Sequence, residues 1–309
     1  MILPGLIQGH IIPESSSVWP ASMFSLAVAS TTLVFGRLAD IYGGRRIYIC
    51  GSVWLAVWSL IIGFARNEIL LDLSRALQGI GASAMLPSGL MMMGCIYRPG
   101  KRKNIVFSIY GACAPFGFFI GILVAGTSGG LATWGYFFWV GAALTVFTSI
   151  VAYLTVPRCS DPTINTTRQE VQSEAQNIGQ NNDGCKQQED DIVMDWVGGG
   201  TLFLCLNFLI IALVASSQAP NGWKTPYVYI CFILGISFFL ATVCVEMWIA
   251  KCPLIPLSFL CKPQMPALLL SLLLFYGSLS VYLLHASQYM EQSMGASTIQ
   301  TVAWYAPMA

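Results

Sequence analysis

Charge is what this sequence has least of. Asp, Glu, Lys and Arg make up 9% of its 309 residues, against about 25% in an ordinary soluble domain. So few charges cannot clothe a soluble globule that carries 56% hydrophobic side chains and a mean hydropathy of +0.68, and a lipid-facing exterior resolves the mismatch. The net charge of +1 also excludes the basic stripe that nucleic acid as partner would require. Paired cysteines are missing too: the ten cysteines are scattered, mostly in apolar runs, with no CxxC and no metal-ligand spacing. They read as small core hydrophobes. No nucleophile–base constellation and no Walker-type phosphate loop occurs, so an enzyme, a resident metal or cofactor and an ATP-driven pump are all disfavoured. Residues 1–12 do not read as a cleavable leader, since they carry Pro4, Gly5 and His10 and no basic n-region. They read as the end of a helix whose beginning lies outside the sequence.

What the sequence has in abundance is apolar runs of membrane length. About 20 such residues cross a hydrocarbon core about 30 Å thick, and this criterion selects 18–36, 47–65, 69–95, 104–126, 134–156, 196–216, 226–249 and 265–290. A further span begins near Thr298, and residues 1–12 make another candidate. The expectation is an all-α, polytopic membrane helical bundle.

The loops sort by charge. If residues 40–46 are cytoplasmic, strict alternation puts Arg37, Arg45, Arg46, Arg98, Lys101, Arg102, Lys103, Arg158, Arg168, Lys186, Lys251 and Lys262 on that side, and only Arg66 and Lys224 outside. This is a strong positive-inside signal. Trp19, Trp134, Trp196, Trp223 and Trp248 lie at span ends, at headgroup level. Trp54, Trp58 and Trp139 lie deeper, without an explanation from sequence. Residues 157–195 hold eight acidic and three basic residues with many Gln, Asn and Thr. They read as a flexible cytoplasmic linker, where the glycosylation-like Asn165-Thr166-Thr167 is accidental.

Three passages could carry function. Residues 36–46 (GRLADIYGGRR) read as a tight turn in which Gly36 and Gly43 permit reversal and close approach. Asp40 stands ahead of the next helix as a potential cap; Arg45 and Arg46 fit either a gating loop or a contact with anionic lipid. The second passage centres on Arg75, with Asp72 three residues before it and Gln78 three after. At about 1.5 Å per residue, Arg75 sits roughly 9 Å below the outer surface. It either snorkels and pairs with Asp72 or turns with Gln78 toward a polar cavity between helices. Asp72 is the better candidate for a proton site than Glu246, His285 or Glu291, which can reach headgroups. The third passage, 111–121, has Pro115 as a kink and Gly117, Gly121 and Ala125 as a small-residue packing face. The methionines at 85 and 91–93 fit an adaptable ligand surface or ordinary packing.

Together these passages resemble the major facilitator superfamily. The first is similar to its cytoplasmic signature between the family's second and third helices, and the second to its fourth-helix signature, in which a buried arginine is tied to proton coupling. The third lies where antiporters carry their fifth-helix motif, but Ala114-Pro115 replaces Gly-Pro and Phe118-Phe119 replaces the closing glycine pair. Residues 98–104, 194–196, 222–227 and 302–308 further resemble the fourteen-helix drug:proton antiporter branch, in particular fungal aminotriazole-resistance-like members. The resemblance implies a first bundle in 1–156 with its first helix mostly missing, a linker in 157–195, an extra helix pair in 196–250 and the start of a second bundle in 251–309, truncated at both ends. It further implies a multi-pass protein, most simply of the plasma membrane, exporting small toxic compounds with protons by alternating access. In that reading Arg75, Gln78 and Asp72 serve coupling or the substrate pathway, and Gly36, Asp40, Gly43, Arg45 and Arg46 serve gating. Pro115, Gly117 and Gly121 serve packing of the family's fifth helix. A non-transporting sensor, or an inactive fragment, is the alternative.

Overall fold

The computed structural model describes residues 19–97, 99–131, 135–156, 194–219, 221–249, 264–295 and 298–305. Every regular element among them is helical: α1 (Trp19–Tyr42), α2 (Gly44–Gly63), α3 (Glu68–Ile96), α4 (Lys101–Leu131), α5 (Gly135–Thr155), α6 (Trp196–Gln218), α7 (Pro226–Cys244), α8 (Gln264–Gln288) and α9 (Thr298–Tyr305). Helices α7 and α8 run on as π-helical turns at Val245–Ile249 and Tyr289–Ser293. Eight of these helices are long and apolar enough to span a membrane, and they coincide with the eight spans expected from hydropathy. Lipid offers no partner for backbone N–H and C=O, so long apolar runs close their hydrogen bonds within helices. The linker 157–195 falls outside the described residues except for Met194 and Asp195, as do residues 1–12 and Asn165.

Local signals fix the helix ends. Asn67 caps α3 by accepting from the Ile69 amide, with Glu68 in the first turn, where the helix dipole favours an acid. Asp195 caps α6, its Oδ1 accepting from the Gly198 amide at 2.8 Å. Pro226 opens α7 at a position where its missing N–H costs nothing. Between α1 and α2 the whole reversal is made by one residue, Gly43, at φ +91°.

The described core is built on α3, which packs along α1 on one side and α2 on the other, while α2 also packs on α5. Gly79 and Gly81, two residues apart and thus about 200° around the helix, provide the two close contacts. A Cβ on Gly79 would lie 2.6 Å from the Phe24 carbonyl of α1, and one on Gly81 would lie 2.8 Å from the Gly51 carbonyl of α2. Small residues let backbones approach where lipid gives no hydrophobic drive for association. Short polar side chains then tie the helices: Thr31 donates to Ser83 at 2.6 Å, and Ser52 to Ser149 at 3.0 Å. At the opposite end from Gly43, Ile62, Ala65, Leu71 and Phe138 form a buried apolar cluster.

The deep tryptophans now have reasons. Trp54 donates its indole N–H to the Leu77 carbonyl of α3 at 2.7 Å and leans on Trp58. Trp139 lies against Gly63, where any side chain would collide with the indole, and it packs with Phe64 and Tyr136. Two of the four methionines pack at the start of α2, for a Cβ at Gly44 would meet Met92 Cγ at 2.9 Å and Met91 Sδ at 3.4 Å.

Helices α6 and α7 form a second tight pair. Phe208 and Phe238 stack at 5.7 Å, and Gly235 leaves room for Leu209. The pair docks through α6 onto α1, where Trp19, Ser22, Met23 and Leu26 meet Ile210, Ile211 and Val214. Helix α9 packs on α4, and its Tyr305 hydroxyl donates to the Leu283 carbonyl of α8 at 3.0 Å.

Candidate functional site

The site forms where α1, α2, α3 and α5 converge, in the half of the bundle that charge places toward the outside. Helix α3 carries Arg75 into it. Its guanidinium lies over the Phe24 ring of α1 at 5.2 Å and over the Phe138 ring of α5 at 5.3 Å. Arg75 Nη1 donates to Gln78 Oε1 at 2.9 Å. Gln78 is itself buried, and its Nε2 donates to the Ser59 hydroxyl of α2 at 2.7 Å. Four helices therefore contribute to the surroundings of one cation.

Magnitudes explain how this charge is tolerated. An arginine at a helix centre costs about 2.5–3.5 kcal/mol to insert. A desolvated cation–π contact contributes about 2 kcal/mol or more, and a hydrogen bond to a charged group contributes about 1.5–3 kcal/mol. Two rings and one such bond offset the cost without an acidic partner.

Asp72 is not that partner. Its Oδ1 is buried and has no hydrogen-bond partner among the described residues, and of the two partners the sequence left open for Arg75 the structure shows Gln78. What distinguishes the two is Ser59 of α2, which accepts from Gln78 Nε2 and so leaves the Gln78 carbonyl facing Arg75. Two phenyl rings, those of Phe24 and Phe138, lie against the Arg75 guanidinium.

In the 36–46 passage the reversal is tight: α1 continues through Tyr42 and Gly43 alone links it to α2. Asp40 thus lies exposed in the last turn of α1, and the cap position of α2 is Gly43, with no side chain to offer. Gly36 sits beside Pro87 of α3, at 3.6 Å from where a Cβ would stand. Arg45 reaches across to α5, donating from Nη2 to the Tyr153 carbonyl at 2.7 Å and lying over its ring at 5.2 Å. Arg46 is exposed, and its side chain is free to meet headgroups.

Helix α4 runs uninterrupted through Pro115. Gly117 and Gly121 meet no other element among the described residues, since a Cβ on either would find nothing within 4 Å. Arg75 and Gln78 are brought together, then, whereas Asp72 stands apart and the α4 glycines have no described partner. Sequence reading missed Ser59, Phe24 and Phe138. Serine and phenylalanine are common in membrane helices, and only the packing of α1 and α2 on α3 and of α5 on α2 singles these three out.

The whole chain, residues 1–309, matches the sequence profile of the Major Facilitator Superfamily. It is 31% identical over 295 residues to a low affinity ammonium transporter of Saccharomyces cerevisiae, covering 94% of this chain and 52% of that protein. It is 30% identical over 313 residues to an efflux pump of Aspergillus terreus, covering 100% of this chain and 56% of the pump. The aminotriazole resistance protein of Saccharomyces cerevisiae is 29% identical over 282 residues, 89% of this chain and 47% of that protein. The chain spans about half the length of these curated relatives.

Proposed function

The chain belongs to the major facilitator superfamily, and from that premise we propose that it serves a secondary transporter exporting drugs or other small toxic compounds in exchange for protons. It is a multi-pass integral membrane protein, and in the proposal its membrane is the plasma membrane. The substrate binds between two helical bundles that rock about it. Residues 1–156 supply the first bundle, 157–195 the cytoplasmic linker, 196–250 the extra pair of a fourteen-helix branch, and 251–309 the start of the second bundle. The pairing of α6 with α7 supports that division. Relatives named as an efflux pump and a resistance protein support export.

The observation that carries the coupling role is the cation Arg75, held inside the bundle by Gln78 and two phenyl rings instead of by an acid. An ionisable residue kept inside a membrane segment is a candidate for a site where charge is used. Asp72, whose Oδ1 has no partner among the described residues, is the proposed proton acceptor beside it. Gly36, Asp40, Gly43, Arg45 and Arg46 form the proposed cytoplasmic gate, and Pro115, Gly117 and Gly121 a proposed docking face for helices beyond the described ones. Proteoliposomes bearing the intact protein test the proposal. Compound efflux that rises with an imposed proton gradient is expected, and flux indifferent to the gradient, or none, would favour a non-transporting role.

A further inference from the structure

We infer that Ser59 is a positioning residue, holding Gln78, and through it Arg75, in one of two available arrangements; the inference rests on the coupling role proposed for Arg75. Ser59 is 1% exposed. Its hydroxyl donates to the Leu55 carbonyl at 2.7 Å, leaving its lone pairs to accept from Gln78 Nε2 at 2.7 Å. This fixes the direction of the whole chain of bonds. The amide NH2 of Gln78 must face Ser59, so its carbonyl must face Arg75. Each member donates to the next, ending on a backbone carbonyl of α2, and bonds aligned this way strengthen one another.

The guanidinium has five N–H donors, and its one hydrogen bond among the described residues is to Gln78. Phenyl rings hold it by charge alone and do not fix its rotation. The orientation of Arg75 therefore depends on which way the Gln78 amide points. Without the acceptor on Ser59, only the bond from Arg75 itself holds the Gln78 amide in this orientation, and the amide NH2 loses its partner. Asp72 Oδ1, three residues to the other side of Arg75 and without a partner among the described residues, is the alternative acceptor. Ser59 thus selects between Gln78 and Asp72 as the partner of Arg75.

Two arms test this on the intact protein. Thermal unfolding in detergent is measured for Ser59→Ala, Gln78→Ala and the double variant. The relay requires the double variant to fall no further than the worse single one, as expected for residues in one network; additive losses overturn it. The second arm uses proteoliposomes and whichever of aminotriazole, ammonium or ethidium the wild type moves. Ser59→Ala should lower gradient-driven flux about tenfold, the scale of one buried hydrogen bond, while gradient-free exchange stays within about twofold. Ser59→Thr, which keeps the hydroxyl, should restore coupling. Equal loss of both fluxes, or no rescue by threonine, reduces Ser59 to a packing residue and overturns the inference. If the wild type shows no gradient-driven flux, the transport reading falls by itself and the unfolding cycle alone decides the relay.

Discussion

Arg45 at the start of α2 and Tyr153 near the end of α5 are joined twice, by a 2.7 Å bond to the Tyr153 carbonyl and by the guanidinium lying over its ring. The two contacts separate by mutation. Tyr153→Ala removes only the ring, about 0.5–1 kcal/mol, and leaves the carbonyl in place. Arg45→Ala removes both contacts. The expected order of melting temperatures in detergent is wild type, then Tyr153→Ala, then Arg45→Ala; equal melting of all three would show that the tie contributes nothing.

Glycines on α3 and α4 should respond oppositely to alanine. A methyl on Gly81 would press on the backbone of Gly51 and Leu55, both at 2.8 Å, so the helices must separate at about 1–3 kcal/mol. Gly117→Ala meets open space and should leave stability unchanged or raise it, since alanine is favoured over glycine in a helix by about 0.5–1 kcal/mol. If Gly117 docks a helix of the second bundle, Gly117→Leu will suppress transport by the intact protein without lowering the stability of the first bundle. Unimpaired transport by that variant argues against the docking face.

Orientation follows from the distribution of basic residues. Arg102 and Lys224 are both exposed, and alternation of spans puts them on opposite faces. With native cysteines replaced, Arg102→Cys should react with an impermeant maleimide only from inside and Lys224→Cys only from outside. Labelling of both from one side would remove a span from the topology.

Arg75 separates insertion from coupling. Arg75→Ala should insert at normal levels, because losing a charge eases insertion, yet lose gradient-driven flux in the intact protein. Normal gradient-driven flux would make Arg75 a structural cation.

Asp72 gives the complementary case. Its Oδ1 lacks a partner among the described residues, so Asp72→Asn removes an uncompensated charge and should not lower the melting temperature. If Asp72 is the proton acceptor, the same variant loses gradient-driven flux while gradient-free exchange survives. Retained coupling would leave the proton to another group.

Sequence alone determined the spans and the family resemblance and gave each loop an expected face, and there is a common physical reason. Lipid imposes one demand on every residue of a crossing segment, apolar character over about 20 positions. That demand is local and is written in consecutive letters. The basic residues that orient the loops and the passages around Asp40 and Arg75 are equally contiguous. Tertiary structure decided whatever depends on what lies across a helix interface. Asp72 and Gln78 are equally spaced from Arg75 in sequence, yet only Gln78 bonds to it, with the acceptor that α2 provides in Ser59 on its other side. Gly81 and Gly117 look alike as letters, but one lies against the α2 backbone and the other meets open space among the described residues. A small residue specifies that two helices may approach closely; which helix arrives is set by the packing of the whole bundle.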